Sequence, residues 1–147
     1  VVIAALGEQM LKVTAALADG TLTWCTGPQT LANHTIPTLK AAADKAGRDS
    51  TSVIAALPVC VTNDREAALQ RAAQVFVVYG QLPSYRAMLD KEGAAGPADI
   101  AIIGSASEVA DRIMALAEIG VTDFAAVEFG ATPDEVAETR SMVKSLL

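Results

Sequence analysis

The sequence predicts an α/β protein with a parallel sheet, and three observations support this prediction. Short apolar runs alternate with stretches whose apolar residues recur at helical spacing, and this unit occurs four times. Three of the helical stretches end in a glycine, Gly20, Gly47 or Gly120, shortly before the next apolar run. Hydrophobic residues make up 52% of the chain but aromatic residues only 4%, a composition typical of helices packed on parallel strands.

Four apolar runs are predicted as strands that are joined by right-handed crossovers. They are residues 1–5, 21–25, 53–61 and 121–127, with a further brief extended piece at 99–104. An open doubly wound sheet and a part of a barrel both satisfy this order. In either architecture ligands bind at the carboxyl ends of the strands. Because no linker interrupts the pattern, residues 1–147 are expected to form a single domain.

Capping residues mark the expected starts of the helices. Thr26 is expected to cap the second helical region, which Pro37 should interrupt and Thr35 should restart. A short helix is expected at residues 85–89. Capping sequences begin three later helices, at residues 63–66, 105–108 and 132–135.

The charge and the cysteines narrow the class of partner and the compartment. The formal net charge is −6, and no cluster of Lys or Arg is suited to the phosphates of a nucleic acid. No apolar run approaches the roughly 18 residues that a membrane span needs. Cys25 and Cys60 each lie in an apolar, strand-like run, which favours buried thiols over a disulfide. A reduced, cytoplasmic protein without nucleic-acid or membrane partners is therefore expected.

Catalytic and metal sites are not expected from the residue types present. His34 is the only histidine and is interpreted as a packing or surface residue rather than a general base. One histidine and two distant cysteines do not supply the usual ligands of a zinc site. The serines lack the sequence context of a catalytic nucleophile.

Candidate ligand contacts lie at the ends of three predicted strands. The turn at Gly7 leads from a strand into a helix, where free backbone N–H groups can bind phosphate, although a glycine there is more often a simple turn residue. Trp24 ends the second strand and could wall a pocket for a planar ring or pack in the core. Glu128 ends the fourth strand, where it could contact substrate or form a solvated turn.

Several short motifs follow one another along nearly the whole chain. They are Val2-Ile3-Ala4-Ala5-Leu6-Gly7, Leu17-Ala18-Asp19-Gly20-Thr21-Leu22, Thr26-Gly27-Pro28, Ala46-Gly47-Arg48, Leu57-Pro58-Val59-Cys60-Val61, Tyr79-Gly80-Gln81-Leu82-Pro83 and Gly120-Val121-Thr122-Asp123-Phe124. In this order they resemble the C-terminal half of luciferase-like oxidoreductases that depend on coenzyme F-420. No single motif is specific, but the ordered series is.

The resemblance implies the C-terminal half of a (β/α)8 TIM barrel, with strands five to eight in this chain. It implies hydride transfer between a deazaflavin, coenzyme F-420, and a small organic substrate, with FMN as the alternative cofactor. The implied cofactor-binding residues are Ala5, Leu6, Gly7, Gln9 and Met10. The implied substrate-binding residues are Trp24, Thr26, Gly27 and Glu128. No residue here is assigned a catalytic role, because the family's usual acid or base residues lie in the other half.

One departure from the family pattern concerns the phosphate. Many members have Gly-Pro where this chain has Gly7-Glu8. A carboxylate at this position would repel a phosphate unless it points away from the turn. The role of Glu8 itself is therefore in doubt.

A half-barrel is expected to be incomplete by itself. The chain starts without Met in the middle of a predicted strand, as though an upstream part had been removed. Unpaired sheet edges and an open apolar face require the missing N-terminal half or a second copy in a homodimer, so the isolated chain is expected to be inactive. The alternative is a non-enzymatic, freestanding α/β ligand-binding or interaction domain with an open sheet.

Overall fold

The computed structural model describes residues 1–49 and 51–147. In this part of the chain the strands are β1 (Val2–Ala4), β2 (Gly20–Trp24), β3 (Ser52–Val61), β4 (Ile102–Gly104) and β5 (Asp123–Glu128). The helices are α1 (Glu8–Leu17), α2 (Pro28–Thr30), α3 (Ile36–Ala46), α4 (Arg65–Val75), α5 (Val77–Gln81), α6 (Pro83–Glu92), α7 (Pro97–Ile100), α8 (Ala106–Glu118) and α9 (Pro133–Lys144). A π-helical turn, Leu31–Thr35, joins α2 to α3.

All described strands pair in parallel, as predicted. Residues 54–56 of β3 pair with both β2 and β5, so these two strands lie on opposite edges of β3. Val59 pairs with both β4 and β5, so β4 extends the edge that β2 occupies. The order β1-β2-β3-β5 follows the chain without the reversal of a doubly wound sheet. Sequential order is that of a barrel wall.

The two faces of this sheet differ in how far they are covered. Because side chains alternate along a strand, β3 directs Val53, Leu57 and Val59 to one face, where they are buried in the core beneath the helices. Val2 and Val127 occupy the opposite face, where they are 47% and 38% exposed. The sheet therefore has a helix-covered face and an opposite face that is open at Val2 and Val127 and covered by α4 at Cys60. This second face is called the open face.

The second helical region differs from the prediction. Gly27, not Thr26, is the cap residue, and the Thr26 hydroxyl donates to the Trp24 carbonyl instead. The helix is not interrupted at Pro37: the amide of Ile36 donates to the carbonyl of Leu31, five residues back, and helical geometry continues. A π-turn directly before proline accommodates a residue that has no N–H to donate.

Thr35 does not restart this helix. Its backbone is helical and its buried hydroxyl has no hydrogen-bond partner among the described residues. The prediction that Thr35 caps a second segment is therefore wrong. The physical reason is that the π-turn keeps the residues before Pro37 helical, so no new helix start is needed.

The predicted strands are confirmed, with ends that shift by no more than two residues. The piece at 99–104 is only partly extended, because its first residues belong to α7 and β4 begins at Ile102. The capping box of Ser105 and Glu108 is confirmed. In the 63–66 sequence the cap is Asp64, whose carboxylate accepts from the Ala67 amide. The helix predicted at 85–89 is α6, which is longer.

Candidate functional site

The carboxyl ends of the strands form one rim. Gly7 and Trp24 follow neighbouring strands, whose register pairs Ala4 with Leu22. Both residues therefore lie on the same edge of the sheet, as the sequence predicts. This rim is where a barrel or an open α/β sheet binds its ligands.

The turn between β1 and α1 exposes unpaired backbone donors. Gly7 is the cap residue of α1, with φ −77° and ψ 152°, and no side chain caps this helix start. A Cβ built on Gly7 would meet no atom within 4 Å, so open space lies in front of the turn. Free N–H groups at a helix start, beside a residue without a side chain, suit a phosphate.

Glu8 does not block this turn. Its carboxylate accepts a hydrogen bond from Nζ of Lys12 at 2.6 Å, one helical turn further on. This bond lowers the pKa of Glu8, with a smaller contribution from the positive charge of Lys91. The carboxylate is thus paired along the side of α1. This pairing reduces the repulsion that the Gly7-Glu8 sequence would present to a phosphate.

At the other helices that directly follow a strand, side chains of the protein accept hydrogen bonds from the first amides. Gln29 and Thr30 of α2 donate their amides to the Glu92 carboxylate at 3.1 and 2.7 Å. Acceptors at the starts of α4, α8 and α9 are Asp64, Ser105 and Thr132. Among the described helices that directly follow a strand, only α1 starts without a side-chain acceptor.

Two of the predicted substrate-binding residues are enclosed by the protein itself. Thr26 is buried. A Cβ on Gly27 would lie 2.3 Å from Cδ of Glu92, so the carboxylate of α6 covers this glycine. Substrate contact by Thr26 and Gly27 stays a prediction, and its geometry here is that of a packed turn.

Trp24 belongs to an aromatic cluster above the rim. Its ring meets those of Phe76 and Tyr79 edge to face, at centroid distances of 5.7 and 5.5 Å. Tyr85 and Phe129 extend the cluster. Nε1 of Trp24 is buried and has no hydrogen-bond partner among the described residues. The indole thus packs at the mouth, with one polar atom left unsatisfied.

Cys25 follows Trp24 with φ 50°, a backbone conformation that non-glycine residues rarely adopt. The thiol is buried, and burial raises its pKa to about 12. It is therefore protonated near neutral pH and is a poor nucleophile.

Glu128 points away from the open face. Its register partner is Val59, which lies on the helix-covered side. Both carboxylate oxygens accept from Nε of Arg140 on α9, at 3.0 and 3.1 Å. The structure therefore does not bring the Glu128 carboxylate together with Gly7 or the open face, and its contact with substrate stays a prediction.

His34 lies at the same rim, which the sequence analysis did not detect. Its Nε2 is 3.2 Å from the carbonyl oxygen of Leu6, across 28 positions of sequence. The residue sits in the π-turn, so a regular helical pattern does not show which way it faces. The signal in the sequence was Pro37, three residues later.

The described residues were compared with the requirements of a metal site and of a membrane-spanning helix. Within residues 1–49 and 51–147, no group of three or more His, Cys, Asp or Glu side chains is placed to hold a metal ion. No helix there combines the length and apolar character of a membrane span. A cleft of about 390 Å³, lined in part by Asp19, Gly47 and Arg48, lies at the amino ends of the strands, away from the rim.

Solved structures share this architecture. An F-420-dependent secondary alcohol dehydrogenase in complex with an F-420–acetone adduct has a TM-score of 0.78 at 17% identity, over 99% of this chain and 48% of its own. The F-420-dependent tetrahydromethanopterin reductase from Methanopyrus kandleri has a TM-score of 0.74 at 22% identity, over 97% and 48%.

An FMN complex has the same fold. The oxygenating constituent of 3,6-diketocamphane monooxygenase from Pseudomonas putida has a TM-score of 0.67 at 12% identity, over 97% of this chain and 45% of its own. This chain spans about half the length of these proteins. A search of curated protein sequences found no match.

The fold and the sequence lead to the same family. The parallel strands match half of a TIM barrel of the luciferase-like type. The family model described as luciferase-like monooxygenase matches residues 1–123, most of the chain. The chain belongs to the luciferase-like monooxygenase family.

Proposed function

We propose that this chain is the second half of an F-420-dependent oxidoreductase, supplying strands five to eight of its barrel. The observation that carries the proposal is the open start of α1. Among the described helices that directly follow a strand, α1 is the one whose first amides have no side-chain acceptor. It lies at the turn that the family resemblance assigns to the cofactor. Structures with F-420 and with FMN share the fold, so the choice of F-420 follows the family resemblance.

The donors at the β1–α1 turn fit the phosphate of a deazaflavin cofactor. The amides of Glu8, Gln9 and Met10 would hold the phosphate, and Gly7 leaves room for it. Ala5 and Leu6 would lie along the chain that carries the ring. When bound, the cofactor supplies the hydride-transfer chemistry. The residues of this chain bind and orient it, and the aromatic cluster around Trp24 keeps water from the mouth.

The partner we propose is the first half of the same barrel. The open face of the sheet carries Val2 and Val127, and α1 presents a second apolar stripe of Met10, Val13 and Leu17, with Leu17 74% exposed. A neighbouring barrel strand and its helix would cover both surfaces at once. A second copy of this chain is the alternative occupant.

A cofactor titration tests the proposed function. The chain is co-expressed with the first half of the barrel, and the visible absorption of coenzyme F-420 or FMN is followed as complex is added. We expect a shift for F-420 at micromolar complex and none for FMN. A shift for FMN alone would contradict the choice of cofactor, and no shift for either would contradict the proposal.

A further inference from the structure

The imidazole of His34 ties two turns of the rim together. Nε2 lies 3.2 Å from the carbonyl oxygen of Leu6, in the turn that leads from β1 into α1. His34 itself follows β2, in the π-turn between α2 and α3. The contact therefore joins the ends of two neighbouring strands.

The π-turn determines where this imidazole lies. Pro37 has no N–H for a regular helical bond, and the amide of Ile36 reaches back five residues to Leu31. The wider turn changes the direction of the residues inside it relative to a regular α-helix. Buried Leu31 and Thr35 anchor the turn on either side of His34.

The carbonyl that His34 contacts belongs to the peptide unit of Leu6 and Gly7. In a trans peptide the carbonyl oxygen and the following N–H point in opposite directions. Fixing the Leu6 oxygen on His34 therefore fixes the direction of the Gly7 amide. A glycine backbone is less restricted than that of any other residue. A contact from another part of the chain therefore has a larger effect on the orientation of this peptide.

The surroundings of the turn are basic as well as donor-rich. Lys12 of α1 is the main cause of the lowered pKa of Glu8, and the positive charge of Lys91 on α6 also contributes. Because Lys12 is already paired with Glu8, an anion at the start of α1 would meet the free amides of the helix start and the charge of Lys91.

We propose that His34 is a positioning residue for the phosphate-bearing part of the cofactor and acts by orienting the Leu6–Gly7 peptide. The inference rests on the proposed function. It assigns His34 no contact with the reacting ring. Its effect is therefore confined to ligands that carry the phosphate.

The test compares two cofactor forms on matched variants of the two-half complex. Dissociation constants are measured by fluorescence for coenzyme F-420 and for its dephosphorylated riboside. The amide of His34→Gln reaches about as far as Nε2 and can donate to Leu6, whereas that of His34→Asn is one methylene too short. Asn33→Ala is the control, because the side chain of this exposed neighbour bonds, among the described residues, only to Gln29.

We expect His34→Asn to weaken F-420 binding about tenfold, the effect of losing one hydrogen bond, and to leave riboside binding within about twofold. His34→Gln and Asn33→Ala should bind both forms like the wild type. Equal weakening of both forms by His34→Asn, or no weakening, would overturn the inference. His34→Leu makes the same comparison if His34→Asn does not fold.

The two proposals fail in different ways. A wild-type complex that binds neither form contradicts the proposed function. A wild-type complex that prefers the phosphorylated form, with His34→Asn keeping the same preference, contradicts only the role of His34.

Discussion

Gly7 and its neighbours show what single residues reveal about the site. A glycine between an apolar run and a helix is visible in the sequence, and the family resemblance implies that the turn at Gly7 holds the phosphate. The sequence also predicts capping sequences where Asp64, Ser105 and Thr132 accept from helix amides. It does not predict that Glu92 serves the start of α2, since that contact spans more than 60 positions. The open start of α1 is informative only in comparison with those filled ones.

Replacing Gly7 by valine should block the phosphate without disturbing the fold. The φ of −77° is open to any residue, and a Cβ would meet no atom within 4 Å. We expect Gly7→Val to leave the unfolding temperature of the complex within about 2 °C and to weaken F-420 binding at least tenfold. A fluorescence titration measures the affinity.

Gly96 provides the matched control for this substitution. It is also a helix cap with extended backbone, and a Cβ there would meet nothing within 4 Å. Gly96→Val should bind the cofactor like the wild type. If both variants lose affinity equally, the open space at Gly7 is not the phosphate site.

Glu135 should make the stability of the protein depend on pH in the acid range. Its carboxylate accepts from the amide of Ala131 and from Oγ1 of Thr62, and the Ala131 bond is the main reason that its pKa lies below the ordinary value of 4.5. A lowered pKa stabilises the fold above the unfolded-state value, and this contribution is lost as pH falls through the folded-state value. Glu135→Gln should therefore be less stable than the wild type at pH 7.

The difference between Glu135→Gln and the wild type should shrink below about pH 4.5, as measured by denaturant unfolding at several pH values. Glu138→Gln is the control, because this exposed residue lies on the same helix and its carboxylate makes no hydrogen bond with the described residues. A pH-independent difference for Glu135→Gln would contradict the assignment.

The helical region from α2 to α3 shows that the sequence pattern can locate a disturbance without predicting the structure that forms there. The sequence locates the disturbance correctly at Pro37 but predicts a break with a new cap. The structure absorbs the proline in a π-turn, and Thr35 stays inside the helix. Which of these outcomes occurs depends on the packing of Leu31, Thr35 and Leu39 against the core, and this packing is tertiary.

Glu92 joins α6 to α2, and its removal should weaken both. Its carboxylate accepts from two α2 amides and from the Thr30 hydroxyl at 2.8 Å. We expect Glu92→Ala to lower the free energy of unfolding by about 1–2 kcal/mol, as for the loss of a helix cap. Glu118→Ala, an exposed residue at the end of α8, should change it by less than about 0.5 kcal/mol.

At the scale of the whole molecule, the parallel sheet with sequential strand order follows from the repeated strand–helix unit. The β4 strand does not, because its three residues lie in a stretch whose first part is helical. The direction of Glu128 also required the register with Val59, since a shift of one residue would turn its carboxylate to the open face.

The isolated chain should associate unless its open face is covered. Val2, Val127 and the α1 stripe expose apolar surface that a barrel would bury. We expect light scattering after size exclusion to show oligomers or aggregate for the chain alone. Addition of the first half should give a one-to-one complex. A stable, well-folded monomer would contradict the half-barrel interpretation.

The unequal lengths of β2 and β3 affect the direction from which a substrate reaches the carboxyl ends of the strands. The last residue of β2 pairs with Ala56, but β3 continues to Val61, where β4 flanks it. At about 3.3 Å per residue, β3 therefore continues for roughly 16 Å of strand beyond the residue that pairs with the end of β2. In the proposed oxidoreductase, a substrate is therefore expected to reach the cofactor ring over the side of β1 and β2, where the wall is lower. Exchanging the first half between related proteins should then change substrate preference more than exchanging this chain.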